Sequence, residues 1–216
     1  MRSMDSCSHG GMISVAWEDC RCDTVLMSRY ARSWISGGTF FFTVVTACRE
    51  RHFSNARCQK WLKEAYSAVQ EKRLFHTVAI CLLPDHLHCI WTLPEGDSDY
   101  PIRWKLIKEM FTRRFIREGM VESRRSLSRV RRGERGVWQR RYWEHTVRDE
   151  EDLARLCDYI HYNPVKHGLV ECPHQWRYST FSRFVAEGIY SNEWGCSCGN
   201  VPETSSWMVD YGVAGE

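Results

Sequence analysis

Past the glycine pair Gly37–Gly38 the chain turns apolar, and TFFFTVVT is aromatic or β-branched at nearly every position. Such a run predicts a strand within 37–50. The period then changes: Trp61, Ala65, Ala68 and Val69 recur at helical spacing, predicting a helix over 54–73 with Ser54 or Asn55 as its cap. Residues 75–94, FHTVAICLLPDHLHCIWTLP, read as two strands folded around a Pro84–Asp85 turn. Trp104, Ile107, Phe111 and Phe115 mark a second helix over 100–119, ended by Gly119.

Residues 121–136 carry no apolar period and read as a mobile basic loop, whereas 137–147, VWQRRYWEHTV, alternates well enough for a further strand. DEEDLARLCDYIHYNP, 149–164, is a third helix, acidic in its first turn as the helix dipole favours and stopped by Pro164. The order β-α-β-β-α-β-α, with antiparallel hairpins and helices to one side, predicts an α+β sheet of the ferredoxin-like or split-βαβ type. Residues 1–28 are polar and aperiodic and read as a poorly ordered tail, 29–190 as the domain, and 191–216 as a C-terminal tail.

Composition narrows the class. The chain has 216 residues, enough for one domain with a real core, and 43% hydrophobic against 26% charged residues suits a soluble globular protein. No apolar run approaches the roughly 18–20 residues that span a membrane, and the N-terminus lacks a secretory pattern. Eleven cysteines, an odd number, read as reduced thiols in a cytoplasmic protein. The net charge of +3 hides an asymmetry: from Arg103 to Arg141 there are 14 Lys/Arg against 4 Asp/Glu, a local +10 that leaves −7 elsewhere. A block this basic suits a polyanion partner, or else a solvated loop.

The candidate chemistry lies in CLLPDHLHCIWTLP, residues 81–94. Side chains alternate across a strand, so His86 and His88 project from one face with Ile90 and Thr92, while Leu87, Cys89, Trp91 and Leu93 take the other. Two neighbouring imidazoles can bind one divalent metal but do not hold it well alone, and the same pair also suits two hydrogen-bonded structural histidines. In CDYIHYNPVKHG, Tyr159 and Asn163 are four residues apart and share a helix face; Leu153, Cys157 and Ile160 form a separate stripe. The Asn163 amide oxygen can be a third ligand, with the Tyr159 phenol beside the metal. A free phenol, with a pKa of about 10, is a poor nucleophile, and a nearby cation favours its deprotonated form. A buried structural tyrosine fits this spacing as well.

GGTFFFTVVT, LLPDHLHCIWTLPEGDSDYPIRWKLIKEMFTRRF, VWQRRYWEH and DYIHYNPVKHGLV, four blocks in order between Arg29 and Tyr190, resemble the REP-associated tyrosine transposases, a domesticated branch of the single-tyrosine HUH transposases. The resemblance implies a ferredoxin-like HUH nuclease fold acting on single-stranded DNA folded into hairpins. It casts His86 and His88 as the metal pair, Asn163 as third ligand where related transposases have Gln, and Tyr159 as nucleophile. It implies Mg2+ or Mn2+ as cofactor, cleavage and rejoining near repetitive extragenic palindromes without ATP, and a 5′-phosphotyrosine intermediate. A DNA-binding protein that has lost turnover is the alternative. The segment HQWRYSTF departs from the family's usual Trp-Pro-Tyr-Ser-Ser, and Tyr162 is a second phenol near the site. A monomer or homodimer at the nucleoid fits such a role.

Groups to hold DNA follow from the basic block. Lys105, Lys108, Arg113, Arg114 and Arg117 surround the aromatic stripe of the second helix, and Arg140 and Arg141 interleave with Trp138, Tyr142 and Trp143. Cations track phosphates and aromatic rings stack on unpaired bases. Trp104 and Phe111 read as core instead. Cys196 and Cys198 have CxC spacing but lack the second ligand pair of a zinc ribbon; Cys20 and Cys22 are another such pair.

Overall fold

In the computed structural model, which describes residues 35–197, strand β1 (Thr39–Val45) is buried at all but its first position. It pairs antiparallel with β3 (His86–Thr92) on one side and β4 (Trp143–Thr146) on the other, and β3 pairs with β2 (His76–Leu82). The resulting order is β2-β3-β1-β4. The continuous apolar run of β1 has a simple cause: its strand is central and both faces are covered, so neither set of alternate residues meets water.

One face carries Phe40, Phe42, Val44, Leu87, Cys89 and Trp91 against α1 (Ala56–Lys72) and α2 (Tyr100–Arg117). The other carries Phe41, Ala79, Cys81 and Ile90 against α4 (Glu150–Lys166) and the short α5 (Phe181–Ala186). Helices therefore cover both faces rather than one side, because β1 and β3 are apolar on both. The α+β, ferredoxin-like class stands. Asn55 caps α1, its Oδ1 accepting from the Arg57 N–H at 2.9 Å.

Helix α4 does not stop at Pro164; it runs on to Lys166. A proline this close to the end removes one intrahelical donor only. The stop is Gly168, at φ +63°, where Gly168 N–H donates to the Val165 carbonyl and Leu169 N–H to the Pro164 carbonyl. These are the paired bonds of a Schellman ending.

The basic segment 121–136 is built rather than loose. It contains α3 (Leu127–Arg131), capped by Ser126, and Ser123 N–H donates to the Gly136 carbonyl. The Arg129 side chain is buried and donates to the carbonyls of Arg135 and Trp138. The strand expected over 137–147 shrinks to four residues, with an isolated bridge at Thr46–Trp138. Along the edge of β2, Leu82 N–H donates to the Tyr178 carbonyl and Thr180 N–H to the Ile80 carbonyl, so residues 178–180 cover a strand edge otherwise open to pairing. Cys58, Cys81, Cys89, Cys157, Cys172 and Cys196 are thiols, but Cys48 is disulfide-bonded. The N-terminal tail lies outside the described residues, as does the C-terminal tail beyond 197.

Candidate active site

His86 and His88 occupy the start of β3 and face α4, as strand alternation requires. The register sets Thr43 of β1 opposite His88, and the Thr43 hydroxyl meets His88 Nδ1 at 2.9 Å. His86 Nδ1 meets the Asp85 carboxylate at 2.7 Å, and Asp85 also pairs with Arg49 at 3.2 Å. Burial pushes the Asp85 carboxyl up, but its bond and charge partners His86 and Arg49 outweigh this and hold it below the ordinary carboxylate value. A carboxylate can only accept here, so His86 Nδ1–H donates to Asp85 and Nε2 is the ring nitrogen turned to the site. Both Nε2 atoms are buried, and the two rings stand edge to face at 4.8 Å.

Helix α4 brings the remaining groups. Its Leu156, Cys157 and Ile160 bury it on Phe41, Ala79, Cys81 and Ile90, which turns Tyr159 towards β3. The Tyr159 ring lies 5.2 Å from His88 and 6.0 Å from Phe41, edge-on to both. Asn163, one turn later, is fully buried, and among the described residues neither its Oδ1 nor its Nδ2 has a hydrogen-bond partner. A buried carboxamide of this kind costs roughly 1–3 kcal/mol unless something else engages it. Together with two anchored imidazoles, it makes a donor set that fits a divalent cation. Tyr162 turns away, its ring against Trp194 and beside Gly195.

Two groups at the end of α4 were not anticipated. The Lys166 ammonium sits 5.1 Å from the centre of the Tyr159 ring, and the His167 ring is 5.3 Å from that of His86. Both follow from the two helical residues past Pro164 and the cap at His167. The signal in the sequence was the glycine at 168, which marks the true end.

Comparison with known proteins identifies the family. The family described as IS200-like transposases matches residues 36–163. Over 168 residues the chain is 41% identical to a REP-associated tyrosine transposase of Escherichia coli K12, covering 78% of this chain and 91% of that protein. A Haemophilus influenzae relative assigned to the same group is 44% identical over 169 residues, covering 78% and 94%. A solved REP-associated tyrosine transposase bound to a REP hairpin matches with a TM-score of 0.65 at 40% identity, covering 83% of this chain and 96% of that one. The chain belongs to the REP-associated tyrosine transposases.

The transposase's basic block is divided by the fold. Lys105 is exposed, as are Arg113, Arg114 and Arg117, which make surface ion pairs with Glu109 or Glu118. Arg140 and Arg141 are exposed too, Arg140 beside Glu134 at 2.9 Å. Three expected DNA contacts are instead engaged internally. Lys108 Nζ donates to the Gln139 carbonyl at 2.7 Å, and burial, with Arg129 nearby, lowers its pKa to about 7. Trp138 is buried between Phe53 and Phe111, so its ring has no face for a base. Tyr142 lies edge-on to Phe42 at 5.9 Å and next to Trp104. Arg103 is buried as well, forked onto Asp97 at 2.6 and 3.1 Å. The exposed α2 cations sit on the sheet face opposite the histidines. The C-terminal part of α2, which bears Arg113, Arg114 and Arg117, lies towards the same sheet end, because Phe111 and Phe115 pack on Phe53 and His52 and Phe53 N–H meets the Pro84 carbonyl. Among the described residues, no helix is long and apolar enough to cross a membrane.

Proposed function

We propose that this transposase cuts and rejoins single-stranded DNA beside a hairpin, with Tyr159 as nucleophile and Mg2+ or Mn2+ held by His86, His88 and Asn163. The observation that carries this reading is the Tyr159 ring 5.2 Å from His88, one helical turn from a buried, unsatisfied Asn163 amide. When bound, the cation would polarise the scissile phosphate and orient it. Imidazole suits Mn2+ better than Mg2+, while the amide and phosphate oxygens suit either.

Asp85 and Thr43 hold the two imidazoles in orientation, and the acceptor-only Asp85 carboxylate keeps hydrogen on His86 Nδ1. Phe41 and His88 hold the Tyr159 ring, and the Lys166 ammonium offsets negative charge developing on its oxygen. The Tyr159 oxygen bonds to phosphorus as the P–O3′ bond breaks; the phenol gives up a proton and the departing 3′-oxygen takes one. One phosphate ester replaces another, so attack by a 3′-hydroxyl restores the strand without ATP.

Lys105, Arg113, Arg114, Arg117, Arg140 and Arg141 supply phosphate contacts for a hairpin stem lying across the sheet end. That a solved relative is bound to a REP hairpin supports this partner. His86, His88, Tyr159 and Asn163 all come from one chain, so a monomer suffices. Such a role would place the protein at the nucleoid.

Covalent capture on a hairpin oligonucleotide with a single-stranded flank tests the proposal. With Mg2+ or Mn2+ the wild type and Tyr162→Phe form an adduct that survives denaturation, and Tyr159→Phe forms none while melting within a degree or two of wild type. An adduct mapped to Tyr162 would overturn the assignment. Hairpin binding without any adduct would favour a transposase relative that only binds.

A further inference from the structure

We infer that this chain carries a second metal site, a zinc site made by Cys172, His174 and Cys196, separate from the His86–His88 pair. One donor atom from each of the three lies within 4.8 Å of the others. Two thiolates and an imidazole are the donors zinc prefers. With Zn–S near 2.3 Å and Zn–N near 2.0 Å, tetrahedral donors stand roughly 3.5–3.8 Å apart, so the observed cluster needs only a small contraction. Cys196 Sγ is already 3.8 Å from His174 Nδ1. His174 Nδ1 also lies 3.1 Å from the Asn192 carbonyl. Zinc on Nδ1, the nitrogen nearest Cys196, would replace that contact and leave Nε2–H on the exposed side of the ring to bond water.

The local backbone is built to bring the two segments together. A 3-10 turn at Pro173–Gln175 sets Cys172 and His174 side by side just after α4. Further along the chain, Ser197 donates from both its N–H and its hydroxyl to the Glu171 carbonyl, at 2.8 and 2.9 Å. Trp194 stacks on Tyr190 at 4.3 Å. Gly195, next to it, is at φ +68°, and a Cβ there would press on Pro173 and Tyr162 at 3.2 Å, so glycine serves both the turn and the close approach.

Cys172 is buried, Cys196 half-buried and His174 exposed, so the fourth position opens on the solvent side. Cys198, two residues beyond Cys196, lies outside the described residues. Two thiolates, one neutral imidazole and Zn2+ sum to zero charge, and binding releases two protons from the thiols. The ion would act as a staple, fastening residues 194–197 to the segment that follows α4, the helix bearing Tyr159 and Asn163.

The test is zinc content of the full-length protein by elemental analysis after gel filtration, with cobalt(II) substitution as the spectroscopic probe. The expected result is one zinc per chain and a thiolate-to-cobalt charge-transfer band with tetrahedral d–d absorption. Cys196→Ser and His174→Ala each lose most of the zinc and the band. The His86→Ala/His88→Ala double variant keeps both, which separates this site from the one proposed for DNA cleavage. Because Cys196 and His174 are not sealed in the core, melting curves without metal should overlay wild type, while added zinc raises the melting temperature of wild type alone. A wild type that takes up neither zinc nor cobalt, or one whose zinc survives the Cys196→Ser/His174→Ala double substitution, would overturn the inference.

Discussion

Two faces of one sheet, separated by a single-residue step along β3, have opposite characters. On the α1/α2 face, Leu87, Cys89 and Trp91 meet a nearly unbroken aromatic layer: Trp91 stacks on Trp104 at 4.3 Å, and Phe42 touches Tyr100, Trp104 and Tyr142. On the α4 face, His86 and His88 meet Tyr159, and Thr43, Asn163 and His161 are buried with them. The first face buries large apolar area and supplies stability. The second buries polar groups that gain little unless each finds a partner, so it can be reactive only because the first is not. A rigid scaffold on one side holds a demanding site on the other.

The largest expected break in this contrast is Trp104→Ala, which leaves a cavity in the aromatic layer and should cost roughly 3–5 kcal/mol in denaturant unfolding. Adduct yield per folded molecule should be unchanged. A cost under about 1 kcal/mol would mean that the aromatic face is not the stabilising one.

Asp85→Asn tests the other face. It weakens the anchor on His86 Nδ1 and should lower Mn2+ affinity about 10–100-fold in a titration, while the unfolding midpoint barely moves. Equal affinity for metal would show that Asp85 serves its Arg49 ion pair rather than the imidazole.

Each face also holds one basic group whose pKa burial lowers, and pH separates them. His161, behind the active site, has its pKa lowered to about 3 by burial and by Arg183. Between its ordinary 6.5 and about 3 the unfolded chain takes a proton that the fold refuses, so stability falls as pH falls through that window. Lys108, on α2, is lowered to about 7, so between about 7 and 10.5 the unfolded chain holds the extra proton and stability rises with pH. His161→Gln should flatten the acid slope alone and Lys108→Met the alkaline slope alone, read from unfolding midpoints across the range. A slope that survives its own substitution breaks that half of the comparison.

The smallest effect concerns the exposed cations. Removing Arg140 and Arg141 should reduce the slope of log affinity against log salt by about 0.9 for each stem phosphate that they neutralise. Lys108→Met should leave that slope unchanged, because the Lys108 ammonium is spent on the Gln139 carbonyl.

Much of this was legible in the chain. Strand alternation alone put His86 and His88 on one face and Trp91 on the other, and four-residue spacing put Tyr159 and Asn163 together, because both periods are properties of the backbone. Apolar spacing likewise marked Trp104, Ile107, Phe111 and Phe115 as core. The fold class followed from the order of elements.

Other features depended on contacts between distant residues. Pro164 reads locally as a stop, yet packing of Ile160 and capping at Gly168 carry α4 two residues further, and with it Lys166 and His167 reach the site. Arg103, Lys108, Arg129 and Trp138 have the composition of a DNA-binding block, but carbonyls and carboxylates from other segments claim their polar atoms, and phenylalanines enclose the Trp138 ring. The donors that the fold sets beside Cys196, namely Cys172 and His174, lie more than twenty residues away along the chain. Local propensity acts over a few residues, whereas burial and ligand sets are decided by whichever surfaces the fold brings together. The sequence by itself therefore determined which side chains share a face; only the tertiary structure decided which of them would be buried, partnered or left facing solvent.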